Sequence, residues 1–199
     1  MTQAKLSSGD VVGYGGFTGG NDGTLVVEVG PAGSKVNAIS IDSAGNVSFP
    51  KNYYGRLVEQ YSTGTNGGTA TSGAYNARVV NTINYESRAL ATASSGNISF
   101  AESGTFEFRA RAPARGVDRH KIRLQNTTLG TTIALGTSQS AASTAENSSF
   151  AEGRFSYVAG QTLQLQHRVE TTNAGIGWGV ASNFGDVEIY AVLEFWKVG

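Results

Sequence analysis

Two histidines and the acidic residues near them are the first side chains to weigh for chemistry. His167 stands in "QTLQLQHRVE" (161 to 170), on the same alternate face as Leu163, Leu165 and Val169. An imidazole there could act as a general base or metal ligand. A metal, however, needs further His or carboxylate donors, and the second histidine, His120, begins a different strand-like segment. His167 therefore reads better as a buried ring satisfied by a hydrogen bond. His120 lies in "GVDRHKIR" (116 to 123), where Asp118, Arg119, Lys121 and Arg123 crowd a turn. An Asp and a His two residues apart suggest a catalytic triad, but no Gly-x-Ser-x-Gly elbow accompanies them. The preferred reading is a turn knitted by an Asp–Arg salt bridge from Asp118, with anion or sugar contact as the alternative.

"GIGWG" (175 to 179) is glycine-rich, yet it lacks the preceding strand and following helix that a dinucleotide loop requires. Its Trp178 is either an exposed platform for sugar stacking or a ring folded onto the core. Asn173 and Asn183 flank it on the same long polar loop and join it as candidate ligand contacts, with Asp118 and Arg119. Acidic residues such as Glu59, Glu86, Glu102, Glu107, Glu146, Glu152 and Glu170 are scattered singly, so no paired-carboxylate constellation for glycoside cleavage is evident. There is no cysteine, which excludes disulfides and thiolate chemistry. Neither catalysis nor a cofactor or metal is expected.

The elements that must position these residues are strands. The chain has 199 residues with 27 glycines, 3 prolines, 15% charged residues and a formal net charge of zero, a mixture suited to short strands and tight turns. The even charge gives no cationic footprint for nucleic acid. No segment reaches the ~20 apolar residues of a membrane span, and "MTQAKLSSGD" has no signal-like apolar run. The expectation is a soluble protein made in a cytoplasm. Residues 1 to 55 carry brief strands, "TLVVEV", "NAISID" and "NVSF", with "SAGN" as a hairpin turn. They hold too few large apolar residues to close a core alone, so attachment or intertwining with copies or neighbours is expected of them. Residues 56 to 199 alternate more densely. "GTFEFRARAP" places Phe106, Phe108, Ala110 and Ala112 inward and Thr105, Glu107, Arg109 and Arg111 outward, with Pro113 ending the run. "HKIRLQNTT" and "QTLQLQHRVE" repeat the pattern. "SQSAASTAENSS" (138 to 149) reads as a loop. About eight strands at this turn spacing predict an all-β, eight-stranded jelly-roll β-sandwich head preceded by a short-stranded β region.

Three blocks, "GTNGGTATSGAYNARVVNTI" (64 to 83), "RAPARGVDRHKIRLQNTT" (111 to 128) and "LQLQHRVETTNAGIGWGVASNFGDVEIYAVLEFWKV" (163 to 198), resemble a recurrent carboxy-terminal domain of bacteriophage tail-fibre and related virion proteins. The resemblance implies a trimeric jelly roll of the tumour-necrosis-factor and complement-globular-head kind. It further implies a virion appendage assembled in the host cytoplasm and held to other virion proteins through residues 1 to 55. Its head would bind a host surface polysaccharide or protein, or serve a purely structural role such as capsid decoration, collar or baseplate fitting. A polysaccharide depolymerase is the remaining alternative.

The final segment, "DVEIYAVLEFWKVG" (186 to 199), is apolar on both alternate faces. In a head whose inner sheet faces a threefold axis, Val187, Ile189, Ala191, Leu193 and Phe195 would fill the protomer core. Tyr190, Val192, Trp196 and Val198 would then form the trimer contact, while Glu188 and Glu194 would need arginine or water partners.

Overall fold

A computed structural model describes residues 16–19, 25–29, 36–49 and 52–199, and the chain divides into two units between Asn52 and Tyr53, three residues before the expected boundary. In the first unit, β1 (Gly16–Gly19), β2 (Leu25–Val29), β3 (Val36–Ile41) and β4 (Val47–Ser48) form an antiparallel meander. The opening residues 1–15 and the segments 20–24 and 30–35 lie outside the described residues. The expected "SAGN" turn is closed by Asp42, whose carboxylate accepts the backbone N–H of Ala44 and of Asn46 at 2.9 Å each. Gly45 supplies the left-handed φ of 84° that the turn requires. Leu25, Val47 and Phe49 remain exposed in the single chain.

The second unit comprises β5 (Tyr53–Tyr61), β6 (Asn76–Ala77), β7 (Thr82–Glu86), β8 (Ala91–Ser94), β9 (Asn97–Phe100), β10 (Gly104–Arg115), β11 (Asp118–Asn126), β12 (Thr131–Leu135), β13 (Gln139–Ala141), β14 (Glu146–Tyr157), β15 (Leu163–Val169) and β16 (Glu188–Lys197). One sheet runs β14-β10-β16-β5-β7 and the other β12-β11-β15-β9-β8, with β13 and β6 pairing at the margins of the second. The chain passes repeatedly from one sheet to the other, which is the jelly-roll connection. All pairings are antiparallel, and no helix occurs among the described residues.

Side-chain alternation decides what the sheets enclose. Phe106, Phe108, Ala110 and Ala112 of β10 face Ile122 and Leu124 of β11 and Leu163 and Leu165 of β15, all buried. Aromatic rings from both sheets complete one end of the sandwich. Phe100 stacks on Phe106 at 4.5 Å and meets Tyr157 and Phe195 edge-on at 5.3 and 5.1 Å. Such offset and edge-on pairs add to the burial of large rings.

Three expectations are corrected. First, Pro113 does not end β10, which continues to Arg115 and pairs Pro113 with Ser148. On its other side the pairing with β16 stops at Arg111, so the missing N–H of proline costs no ladder bond there. Second, the supposed loop 138–149 contains β13 and the first residues of β14. Most of its Ser, Asn and Thr side chains are exposed or bonded to backbone, so it carries no apolar alternation. Third, Val187 and Ile189 are not core residues; they are 51% and 38% exposed. A bulge between Ile189 and Ala191 shifts the register against β5 and reverses the alternation. Beyond it Ala191, Leu193 and Phe195 enter the core, whereas before it the buried residue is Glu188.

Because Phe106 lies at the centre of the ring cluster, Phe106→Ala should cost about 3–5 kcal/mol of stability. A chemical-denaturation midpoint unchanged from the parent protein would contradict this packing.

Candidate functional site

Arg78 is fully buried, in a short stretch that follows β6. A guanidinium in such a place needs partners for its N–H groups, because it cannot shed its charge. Its Nε donates to Glu59 at 2.7 Å, and that carboxylate is itself only 1% exposed. Nη1 donates to the Pro113 carbonyl at 2.8 Å and to His167 Nδ1 at 3.2 Å, and Nη2 reaches the Trp178 carbonyl at 3.4 Å. The guanidinium also lies 4.8 Å from the centroid of the Trp178 ring, which stacks on His167 at 4.9 Å.

His167 in turn bonds to His120, Nε2 to Nδ1, at 2.9 Å. The direction of this bond follows from chemistry. Arg78 can only donate, so His167 Nδ1 accepts, its Nε2–H donates to His120 Nδ1, and His120 holds its own proton on Nε2. That last nitrogen is buried and finds no protein partner. Burial, and then the Arg78 charge, push the His120 pKa down to about 4. The same two causes, with His120 added, hold His167 well below the usual value. Both rings are therefore neutral near pH 7.

This cluster answers the sequence expectations directly. His167 is the buried, hydrogen-bonded ring anticipated, and its partner His120 was not paired with it by sequence spacing. Trp178 is folded inward and 7% exposed, so it offers no stacking platform. It is enclosed because the glycine-rich segments on either side of it meet. Gly67 N–H donates to Gly179 O, Trp178 N–H to Gly68 O, and Ala70 and Asn173 exchange backbone bonds. A Cβ on Gly67 would stand 2.8 Å from the Trp178 backbone, and one on Gly177 would stand 2.5 Å from the Ala70 Cβ. Asn173 spends its amide on the Arg115 carbonyl at 2.8 Å. Asn183 is exposed, in a left-handed conformation at φ 57°. The expected Asp–Arg bridge of this turn does not form: Asp118 accepts the Thr171 hydroxyl at 2.5 Å, Arg119 forks onto Glu170, and Arg123 donates to Gln166. Arg78 is the residue that sequence reading passed over, and Glu59 stands there only as one of the scattered acids. The faint signal was a lone Arg between apolar positions in "AYNARVVN".

The outward face of the five-stranded sheet forms a second arrangement. Register aligns Glu107, Trp196 and Tyr54 on neighbouring strands, then Arg109, Glu194 and Arg56 one rung along. Trp196, Tyr54 and Tyr85 make an aromatic row, with ring separations of 5.3 and 5.9 Å. Arg109 lies 5.8 Å over Trp196. Tyr85, Phe150 and Val198 on this sheet and its end are 55%, 51% and 42% exposed. The expected contact residues divide here. Trp196 and Val198 reach the surface, and Val192 is largely covered by its neighbours. Tyr190 is corrected: it is 5% exposed, packs on Tyr61 and donates its hydroxyl to the Thr65 carbonyl at 2.8 Å. Neither acid uses arginine. Glu188 accepts the backbone N–H groups of Ser182, Asn183 and Gly64, which hold its carboxyl below the usual range, and Glu194 accepts the Tyr54 hydroxyl at 2.7 Å.

Among the described residues no group of three or more His, Cys, Asp or Glu could hold a metal ion. No helix among them is long and apolar enough to cross a membrane. No protein-family model and no curated protein matches the chain. Among solved structures it is similar to murine APRIL at pH 8.5, with a TM-score of 0.49 and 13% identity over 74% of this chain and 100% of that one. It is also similar to the globular domain of zebrafish complement 1qA protein, at 0.47 and 11% over 75% and 98%. PRD1 vertex protein P5 follows at 0.44 and 14%, over 74% and 97%. The jelly-roll assignment rests on the strand order itself.

Two predictions follow from the buried cluster. Arg78→Met alone should cost about 3–5 kcal/mol by stranding Glu59, while Glu59→Leu with Arg78→Met should cost less than the two single changes added together. Additive single and double changes in a denaturation series would show that the pair is uncoupled. For pH, both histidine pKa values are lower in the folded chain than the ordinary 6.5. Their contribution is complete above pH 6.5 and is lost as pH falls from there through about 4, because the unfolded chain takes up protons first. The melting temperature should thus drop by several degrees between pH 7.5 and 5, above the range where carboxylates titrate. His120→Gln should flatten that drop; a melting temperature constant over this interval would rule the account out.

Proposed function

We propose that the chain is the homotrimeric jelly-roll head of a bacteriophage virion appendage of tail-fibre type. In this reading it is a non-enzymatic adhesion protein that binds a host cell-surface glycan or protein. The observation that carries the trimer is the aromatic row Trp196–Tyr54–Tyr85 on the outward face of the five-stranded sheet. An antiparallel sheet facing water is expected to alternate apolar inward and polar outward. Here a large aromatic surface lies on the outward side, of the residue types enriched where protein meets protein. Beside it Arg109 faces Glu152 and Arg154 faces Glu107, so charges of both signs are available to a neighbouring copy. The resemblance of three sequence blocks to phage fibre heads supports the virion setting.

Exposed Leu25, Val47 and Phe49 in the first unit support its role in attachment to other virion proteins or intertwining with other copies. The non-enzymatic reading draws support from the use already made of the titratable groups: His120, His167 and Glu59 are buried and spent on one another and on Arg78. Three heads on one axis present three identical surfaces, which turns weak single-site affinity into avidity when ligands are spaced to match.

Sedimentation of the full chain should give a trimer, and the fluorescent protein should bind host cells without releasing reducing ends. Trp196→Glu should give a monomer or fail to fold. Tyr85→Glu and Phe150→Glu alter side chains more than half exposed, so these variants should fold and dissociate. A wild-type monomer at micromolar concentration, or trimers in all three variants, would end the assembly reading. A trimer that ignores cells but captures another virion protein would favour a purely structural fitting.

A further inference from the structure

We infer that the outward face of the second sheet carries a binding cleft for an anionic sugar residue, gripped between Lys121 and Arg168. This inference rests on the adhesion reading and names the ligand chemistry it would use. The cleft encloses about 640 Å³ and is lined by Tyr75, Arg119, Lys121, Gln139, Arg168 and Glu170, among others.

The argument comes from the rungs of the β11–β15 ladder. On the outward face, Arg119 meets Glu170, Lys121 lies directly opposite Arg168, and Arg123 lies opposite Gln166. The first rung is satisfied: the Arg119 fork holds the Glu170 carboxyl down at about 2, so that acid is committed. The third is satisfied as well, since Arg123 donates twice to Gln166 Oε1, at 2.9 and 2.7 Å. The middle rung sets two cations face to face with no carboxylate on either. Like charges directly opposite on antiparallel strands destabilise a sheet. A residue pair that weakens the fold while lining a cleft is a reason to look for an anion.

The walls narrow the class of anion. Tyr75 is fixed by Arg123, whose guanidinium carbon lies 3.9 Å from the ring centroid, and Arg168 stands 6.0 Å from the same centroid. Tyr75 brings aromatic surface to the cleft, and Gln139 with Ser138 brings amide and hydroxyl groups. A ligand matching this set has one negative charge, hydroxyls around it and an apolar ring face. A carboxylated or phosphorylated pyranose meets all three requirements, whereas a neutral sugar leaves the cationic rung unmatched. The cleft belongs to the sheet opposite the aromatic row, so a trimer built on that row leaves it open to solvent.

Calorimetry of the full chain with oligogalacturonate and with a phosphomannan tests the proposal and tells a carboxylate from a phosphate source. Binding of at least one is expected, weakening as salt rises. Lys121→Gln with Arg168→Gln should lower that affinity by about tenfold or more, since two charge-assisted contacts are lost. The same double variant should keep the trimer and melt no lower than wild type, because the like-charge rung is gone. Binding of neither glycan, equal binding of methyl-esterified oligogalacturonate or poly-glutamate, or full affinity in the double variant would each overturn the inference. The two readings separate on cells. Wild type and double variant binding cells alike would remove the cleft and leave adhesion standing. A chain that takes up the acidic glycan but ignores cells would do the reverse.

Discussion

The closed end of the sandwich depends on one buried charge. Arg78 sits where water cannot reach it, and its neighbours are arranged to satisfy its donors. Glu59 comes from β5, the Pro113 carbonyl from β10, His167 from β15, and Trp178 from the long segment before β16. A buried pair of this kind gives little net stability compared with apolar packing, but it is intolerant of being half built. It therefore fixes a unique arrangement of five chain segments that small residues such as Ala70, Ala114 and Ala141 could not define through shape alone. The two histidines extend that constraint. Because Arg78 can only donate, the proton positions on both rings follow from a charge one hydrogen bond from His167 and two from His120, and each ring must be neutral for the chain of bonds to close.

The same economy governs β16, where one bulge reconciles conflicting demands. Without it, strict alternation would direct Glu188, Tyr190, Val192, Glu194 and Trp196 to one side. With it, Tyr190 is covered and donates to the Thr65 carbonyl, and Glu188 becomes a cap for the turn at Ser182 and Asn183. Only the part beyond the bulge retains the two-faced character, with Leu193 and Phe195 inside and Trp196 outside. The apolar outer side is thus shorter than the sequence suggests. It is concentrated where β5, β7 and β16 bring Tyr54, Tyr85 and Trp196 together.

What the sequence disclosed follows the same logic. Phe106 to Ala112, Ile122 with Leu124, and Leu163 to Val169 were legible because each strand buries one face against a uniform apolar layer, which writes a period of two into the residues. His167 was legible as a core residue for the same reason. Residues 138–149 were not, since an edge segment that bonds through backbone and Ser or Asn side chains leaves no apolar period. Trp178 and Arg78 were hidden by another cause. Their burial is produced by loops closing over them through Gly67 and Gly177, and local pattern holds no information about a contact between segments a hundred residues apart. The expected Asp–Arg bridge is absent because Arg119, adjacent to Asp118 on the strand, points to the opposite side and meets Glu170 across the ladder, while Arg123 is held by Gln166.

Net charge illustrates how composition can conceal a site. The sum of zero gave no cationic footprint for nucleic acid, yet that sum is assembled from unlike places. Arg78 is buried with Glu59; Arg109 and Arg154 face acids across β10 and β14; Arg88 and Lys197 converge on Glu102. Other cations, among them Arg56 and Arg123, also lack an acidic partner but donate to side-chain amides, whereas Lys121 and Arg168 stand opposite each other beside an aromatic ring. Folding alone gives no reason to hold two cations in that register, since either position would tolerate a neutral residue on a solvent face. The physical case for a ligand therefore lies in the rung that the fold leaves unbalanced, and net charge is the wrong measure for finding it.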